Sequence, residues 1–166
     1  GILAGLWGIG TVMLFMVLWY RLPGLVSAFS LLIYVIIILA LFKLIPVTLT
    51  AAGIAGFILS IGMAVDANVL IFERIKEEVR AGKNLVEASK VGFARAWPSI
   101  RDANITGLLT AVVLFWLGTS LVKGFALTYG LGILISMISA IAITKTFLLS
   151  VAFEKVRMFF GSGLNK

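Results

Sequence analysis

Apolar residues fill this chain in blocks about as long as a bilayer's hydrocarbon core is thick, with polar residues confined to the gaps between blocks. A helix rising 1.5 Å per residue crosses that core in about 20 residues. Residues 2–20 make the first such block, 25–42 the second and 48–72 the third. After a polar stretch over 73–102 come a fourth block at 103–121 and a fifth at 125–153, the last interrupted by Lys145. The gaps carry helix-breaking signals: Arg21-Leu22-Pro23-Gly24, Lys43 to Val47 with Pro46, and Val122-Lys123-Gly124. The pattern predicts an all-α integral membrane protein, a single domain built as a bundle of five transmembrane helices.

Composition excludes the soluble alternative. Of 166 residues, 61% are hydrophobic and 13% charged, where a soluble domain carries about 25% charged residues. A domain of this size hides only about two-thirds of its surface on folding, so water would meet much of the apolar excess. Histidine and cysteine are absent, which removes disulfides, thiol chemistry and His-based catalysis, and no metal site is expected. Nothing points to an enzyme or a bound cofactor. The net charge of +7 is spread through the gaps rather than gathered on one soluble face, so anionic lipid and topology account for it better than nucleic acid.

The basic residues set the orientation. Arg21, the cluster Arg74, Lys76, Arg80, Lys83, Lys90, Arg95 and Arg101, and the tail's Lys155, Arg157 and Lys166 fall on one side; Lys43 and Lys123 fall on the other. The positive-inside rule makes the first group cytoplasmic, which agrees with an odd number of spans. Within 73–102, Leu85, Ala88, Gly92, Phe93 and Ala96 recur at helical spacing. This predicts an amphipathic segment along the cytoplasmic interface, with Trp97 at headgroup level and Pro98 restarting the chain ahead of the fourth span. Gly1 already lies in an apolar run, with no initiator methionine and no basic leader. The chain is therefore expected to be a fragment, beginning just ahead of a membrane helix.

One residue breaks the apolar interior. Asp66 is the only acid inside a predicted span, about 9 Å from the middle of the third. A carboxylate at the bilayer centre costs at least about 2.5 kcal/mol, so it should face protein or water rather than lipid. Removing a carboxyl from water disfavours its charged form, which suits an acid in such a place to taking up and giving back a proton. The alternative is a neutral acid that hydrogen-bonds a neighbouring helix. Gly53, Gly56, Ser60 and Ala64 form a small-residue stripe on the same span, the signature of a close helix seam. Asn104 and Thr106, early in the fourth span, are candidate polar partners for Asp66, with Thr110 one turn beyond; Asp102 is expected near a helix start.

These residues carry a resemblance. The string Leu49-Thr50-Ala51-Ala52-Gly53-Ile54-Ala55-Gly56, the run from Gly62 through Ala64-Val65-Asp66-Ala67-Asn68-Val69-Leu70-Ile71-Phe72 to Glu73-Arg74, Asp102-Ala103-Asn104-Ile105-Thr106, Gly118-Thr119 and Val122-Lys123-Gly124-Phe125-Ala126 together resemble the SecD family. These are accessory proteins of the Sec translocase, within the resistance-nodulation-division superfamily. The resemblance runs along nearly the whole chain and implies the second to sixth of six membrane helices, without the first helix and the extracytoplasmic head. It further implies residence in the bacterial inner membrane and partnership with SecF, the SecYEG translocon and a translocating preprotein. The implied activity is the use of the proton gradient to support protein export, with the acid at Asp66 as proton-relay residue. SecF typically carries an arginine at the position of Asn104, so a complete relay here would need SecF or water. Two other functions stay open on the residues alone: a proton-coupled transporter of small molecules or lipids, and an assembly module without proton transfer.

Overall fold

The computed structural model describes residues 2–20, 22–45 and 47–141, and the described residues are almost entirely helical. The helices are α1 (Ile2–Tyr20), α2 (Leu22–Leu44), α3 (Ala51–Arg80), α4 (Leu85–Leu117) and α5 (Ser120–Ser139). Four of them are long and apolar enough to cross a membrane: α2 from Gly24, α3, α4 and α5; α1 is apolar over the shorter stretch Trp7–Tyr20. Lys145, the rest of the fifth block to residue 153 and the polar tail lie outside the described residues.

The bundle forms around α3. Its start is fixed by Thr50, whose hydroxyl accepts from the Gly53 N–H at 3.1 Å, satisfying one of the donors a helix start leaves free. Its closest packing is with α5 and α4, while α2 closes the far side and α1 lies against α2. Tyr34, Ile38 and Phe42 of α2 pack with Ile61 and Ala64 of α3. Met16 of α1 joins Ala67, Ile71, Phe72 and Ile75 of α3 and Ala88, Ala96 and Ile100 of α4 in a second cluster. The outer faces keep Trp7, Leu18, Ile36, Leu109 and Trp116 exposed, as a lipid-facing surface requires.

The polar stretch 73–102 differs from its sequence-based reading. It is neither a loop nor a separate interfacial helix: α3 runs two turns past Phe72 and α4 begins at Leu85, so the amphipathic segment is the first part of a 33-residue helix. The intervening turn uses Gly82 at φ 91°, a left-handed conformation that costs glycine little. Asn84 then caps α4 by accepting from the Glu87 N–H at 2.9 Å. Pro98 does not restart the chain, because α4 passes straight through it. Proline lacks an N–H and crowds the carbonyl four residues back, here that of Ala94. Both residues are exposed, so this carbonyl can be satisfied from outside the bundle. Asp102 consequently lies mid-helix, beside Arg101 at 2.9 Å. The α4–α5 break also moves, from Val122-Lys123-Gly124 to Gly118-Thr119. Gly124 is a packing glycine: a Cβ there would lie 3.2 Å from the Thr50 hydroxyl.

Candidate functional site

Small residues bring α3 and α5 together. A Cβ on Gly56 would lie 2.5 Å from the Phe125 carbonyl oxygen and 2.6 Å from the Thr128 hydroxyl, and one on Gly53 would lie 3.5 Å from the Thr128 methyl. Thr128 donates to the Gly53 carbonyl at 2.8 Å, a bond between helices 75 positions apart. One turn on, Ser60 is fully buried. Its hydroxyl donates to the Phe57 carbonyl at 2.7 Å and meets the Tyr34 hydroxyl at 2.7 Å. Gly132 of α5 lies directly over this pair, where a side chain would collide with both hydroxyls. Ala64 continues the same face, buried against α2. Gly53, Gly56, Ser60 and Ala64 thus occupy the inward face of α3.

The α3–α4 contact is equally close and antiparallel. A Cβ on Gly92 would lie 2.7 Å from the Ile75 backbone nitrogen, and one on Gly107 would lie 3.4 Å from the Met63 methyl. Tyr129 of α5 reaches into the same region and donates to the Met63 sulfur at 3.2 Å. This register puts Asn104 level with the Met63–Asp66 turn. Asn104 is only 4% exposed. Its amide donates to the Ile100 carbonyl at 2.7 Å, while its Oδ1 is buried without a partner among the described residues. Leaving a buried acceptor unmatched costs about 1–3 kcal/mol, so Asn104 carries an unmet demand for a donor at this depth.

Asp66 points elsewhere. It is exposed on the chain's surface, and its carboxylate has no hydrogen bond or ion pair among the described residues. At 100° per residue, Asp66 lies within about 40° of Ala55, Leu59 and Gly62 before it and Glu73 after it. Ala55, Leu59 and Gly62 are exposed too, and a Cβ on Gly62 would meet nothing within 4 Å. The site is therefore an open strip of α3, back to back with the glycine seam. Thr106 and Thr110 are also exposed, and each bonds back to its own helix: Thr106 to the Asp102 carbonyl and Thr110 to the Thr106 carbonyl, both at 2.9 Å. The structure does not join Asp66 to Asn104 or Thr106 directly.

Beyond Phe72 the charged residues pair across the hairpin. Glu78 is almost fully buried and is held by Lys83 and by Arg95 of α4. Those two cations, Lys83 first, hold its carboxyl below the usual carboxylate range. Glu77 binds Arg74 at 2.9 Å and Arg95 at 3.5 Å. Sequence reasoning did not find this clamp, nor the Tyr34–Ser60 and Thr128–Gly53 bonds. The spacing Ala88, Gly92, Ala96, Ile100, Asn104, Gly107 and Ala111 was there to be read as one buried stripe.

Comparison with known proteins agrees with the pattern of residues. Residues 1–154 match the family described as protein export membrane protein SecD/SecF, C-terminal. A protein translocase subunit SecD from Thermobaculum terrenum is 56% identical over 98% of this chain and 33% of its own length. Subunits of the same description from Synechocystis sp. and Dehalococcoides mccartyi are 52% and 51% identical, over 94% and 98% of this chain and 34% and 36% of theirs. The chain thus spans about a third of the length of these relatives.

Proposed function

The chain belongs to the SecD/SecF family of protein export membrane proteins, on its SecD side, and on that premise we propose that it is the membrane part of a proton-coupled export subunit. Its partners would be SecF and the SecYEG translocon of a bacterial inner membrane, and its substrate a preprotein in transit. The observation that carries this reading is the state of Asp66: an acid within an apolar span, exposed on an open strip, with its carboxylate unpartnered among the described residues. A helix-bonding acid would be expected to touch a neighbouring helix of its own bundle. An acid left open is available to water, to a proton and to an adjoining subunit.

In this reading Asp66 takes a proton from the extracytoplasmic side and gives it up on the cytoplasmic side. The neutral and charged forms favour different surroundings, since only the neutral form tolerates an apolar one. Each proton therefore shifts how the strip packs on its partner. One charge crossing about 100 mV carries about 2.3 kcal/mol, enough to bias a two-state element by about fiftyfold. Asn104, level with Asp66 on the buried side of α4, would offer its free Oδ1 as an acceptor to a donor from water or an adjoining subunit. The orientation follows the basic residues of the α3–α4 hairpin, which belong in the cytoplasm.

The test is Asp66→Asn in the full-length protein with its partners. The variant keeps the size and most of the hydrogen bonding but does not titrate. It should assemble normally and lose gradient-dependent export measured in vesicles, while Asp66→Glu keeps part of it. Full gradient-dependent export by Asp66→Asn would leave assembly, not proton transfer, as the role of this residue.

A further inference from the structure

Seven residues past Asp66, on the same line of α3, stands Glu73. Two helical turns, about 10 Å, separate them, with half-buried Val69 and Leu70 between. Glu73 differs from the other acids beyond Phe72. Glu77 faces two guanidinium groups and Glu78 a lysine and a guanidinium. The only cation paired with Glu73 among the described residues is Lys76, at a loose 3.7 Å. From α1, the Tyr20 hydroxyl lies beside the Glu73 carboxylate. Its ring is fixed against Phe72, with centroids 5.8 Å apart. Arg95, which crosses from α4, reaches Glu77 and Glu78. Glu73 is thus the acid nearest Asp66 on its open strip, half-exposed, with a phenol beside it and only a loose ion pair among the described residues.

We propose that Glu73, beside Tyr20, is the cytoplasmic-side acceptor for the proton that leaves Asp66. This rests on the proton-carrier reading of Asp66. The O–H bond of the Asp66 carboxyl breaks, the proton passes along a short chain of water molecules in the open strip, and an O–H bond forms on the Glu73 carboxylate. Glu73 then returns the proton to bulk water. Charge balances at every stage, and water is the only co-reactant. Because Tyr20 ends α1, movement of α1 against α3 would also change the surroundings of Glu73.

The experiment uses the full-length protein with its partner subunit and translocon, in inverted vesicles whose outer buffer sets the cytoplasmic-side pH. Gradient-dependent export is measured against that pH. Glu73→Gln is expected to slow export about tenfold or more and to flatten its dependence on cytoplasmic-side pH, with normal co-purification of the partner. Glu73→Asp, which still titrates, is expected to recover at least half the rate and the shape of the profile. A wild-type rate and profile for Glu73→Gln, with Asp66→Asn inactive, overturns this inference and leaves the proton-carrier reading standing. Gradient-dependent export by Asp66→Asn removes both. If Glu73→Gln fails to assemble, Tyr20→Phe decides: it keeps the ring against Phe72 and removes only the hydroxyl. A several-fold slower rate supports the inference and an unchanged rate overturns it.

Discussion

Gly56 offers a sharp physical test of how the bundle is held. A methyl placed there would lie 2.5 Å from the Phe125 carbonyl oxygen and 2.6 Å from the Thr128 hydroxyl, inside the distance at which carbon and oxygen repel. Phe125 presents backbone, which cannot rotate aside, so α5 itself must move. Moving it also strains the Thr128 bond to the Gly53 carbonyl, 2.8 Å long and buried. Overpacking of this kind costs about 1–3 kcal/mol, and an interhelical bond in a membrane averages about 0.6 kcal/mol. Gly56→Ala should therefore lower the melting temperature in detergent by several degrees, and Gly56→Leu by more. Two controls bracket the result. A methyl on Gly62 meets nothing within 4 Å, so Gly62→Ala should be neutral or slightly stabilising, since alanine loses less backbone freedom than glycine. Ala40 is exposed on α2, so Ala40→Leu should change little. Equal melting temperatures for Gly56→Ala and Gly62→Ala would refute the close α3–α5 seam.

Three other outcomes are expected. A single cysteine at position 83, in a chain that has none of its own, should react with an impermeant reagent only from the cytoplasmic side; labelling from outside intact cells would invert the orientation. Tyr34→Phe should cost about 0.6–1.7 kcal/mol, because Tyr34 loses its 2.7 Å bond while Ser60 keeps the Phe57 carbonyl; no change in melting temperature would show that bond to be idle. The Glu78 clamp should be fully present at neutral pH and lost as pH falls through a value below the ordinary 4.5, because its cations depress the folded-state pKa. Spin labels at 80 and 90 should report the loss as a broadened distance distribution, which Glu78→Gln should reproduce at neutral pH; a distribution unchanged in both cases would contradict the clamp.

Much of the architecture was legible because lipid imposes simple rules. Blocks of about 20 apolar residues have almost no alternative to helix when every backbone group must be satisfied internally. The glycine stripe was legible for a related reason: small residues mark a close helix seam, and Gly56 occupies a position where the structure leaves no room for a methyl. What sequence reasoning missed lies where two signals compete. Pro98 and the charges around it read as a boundary, but the buried stripe from Ala88 through Ala111 runs on beneath them. Tertiary packing against Ile71 and Ile75 outweighs the local proline penalty because Pro98 faces outward. Gly124 likewise read as a turn signal, and only its contact with Thr50 shows it as a spacer. The partners of Ser60, Thr128 and Glu78 depend on rotation and register between helices, which no single helix's sequence encodes.

The two faces of α3 make opposite demands, and this bears on what the chain does. The inward face is filled to the point where a methyl does not fit at Gly56, and its hydroxyls are paired. The outward face leaves Gly62 in open space and Asp66 without a partner. An ionised acid against lipid costs at least about 2.5 kcal/mol, more than a single interhelical bond returns. A bundle optimised only to hold itself together would have turned that acid inward or replaced it. Under the proposed function, the strip holding Asp66 is a surface finished by another polypeptide and by water. The chain spans about a third of the length of the three relatives named above, each described as a protein translocase subunit. On this reasoning the uncovered strip should lose its exposure in the assembled complex, while the glycine seam behind it stays unchanged.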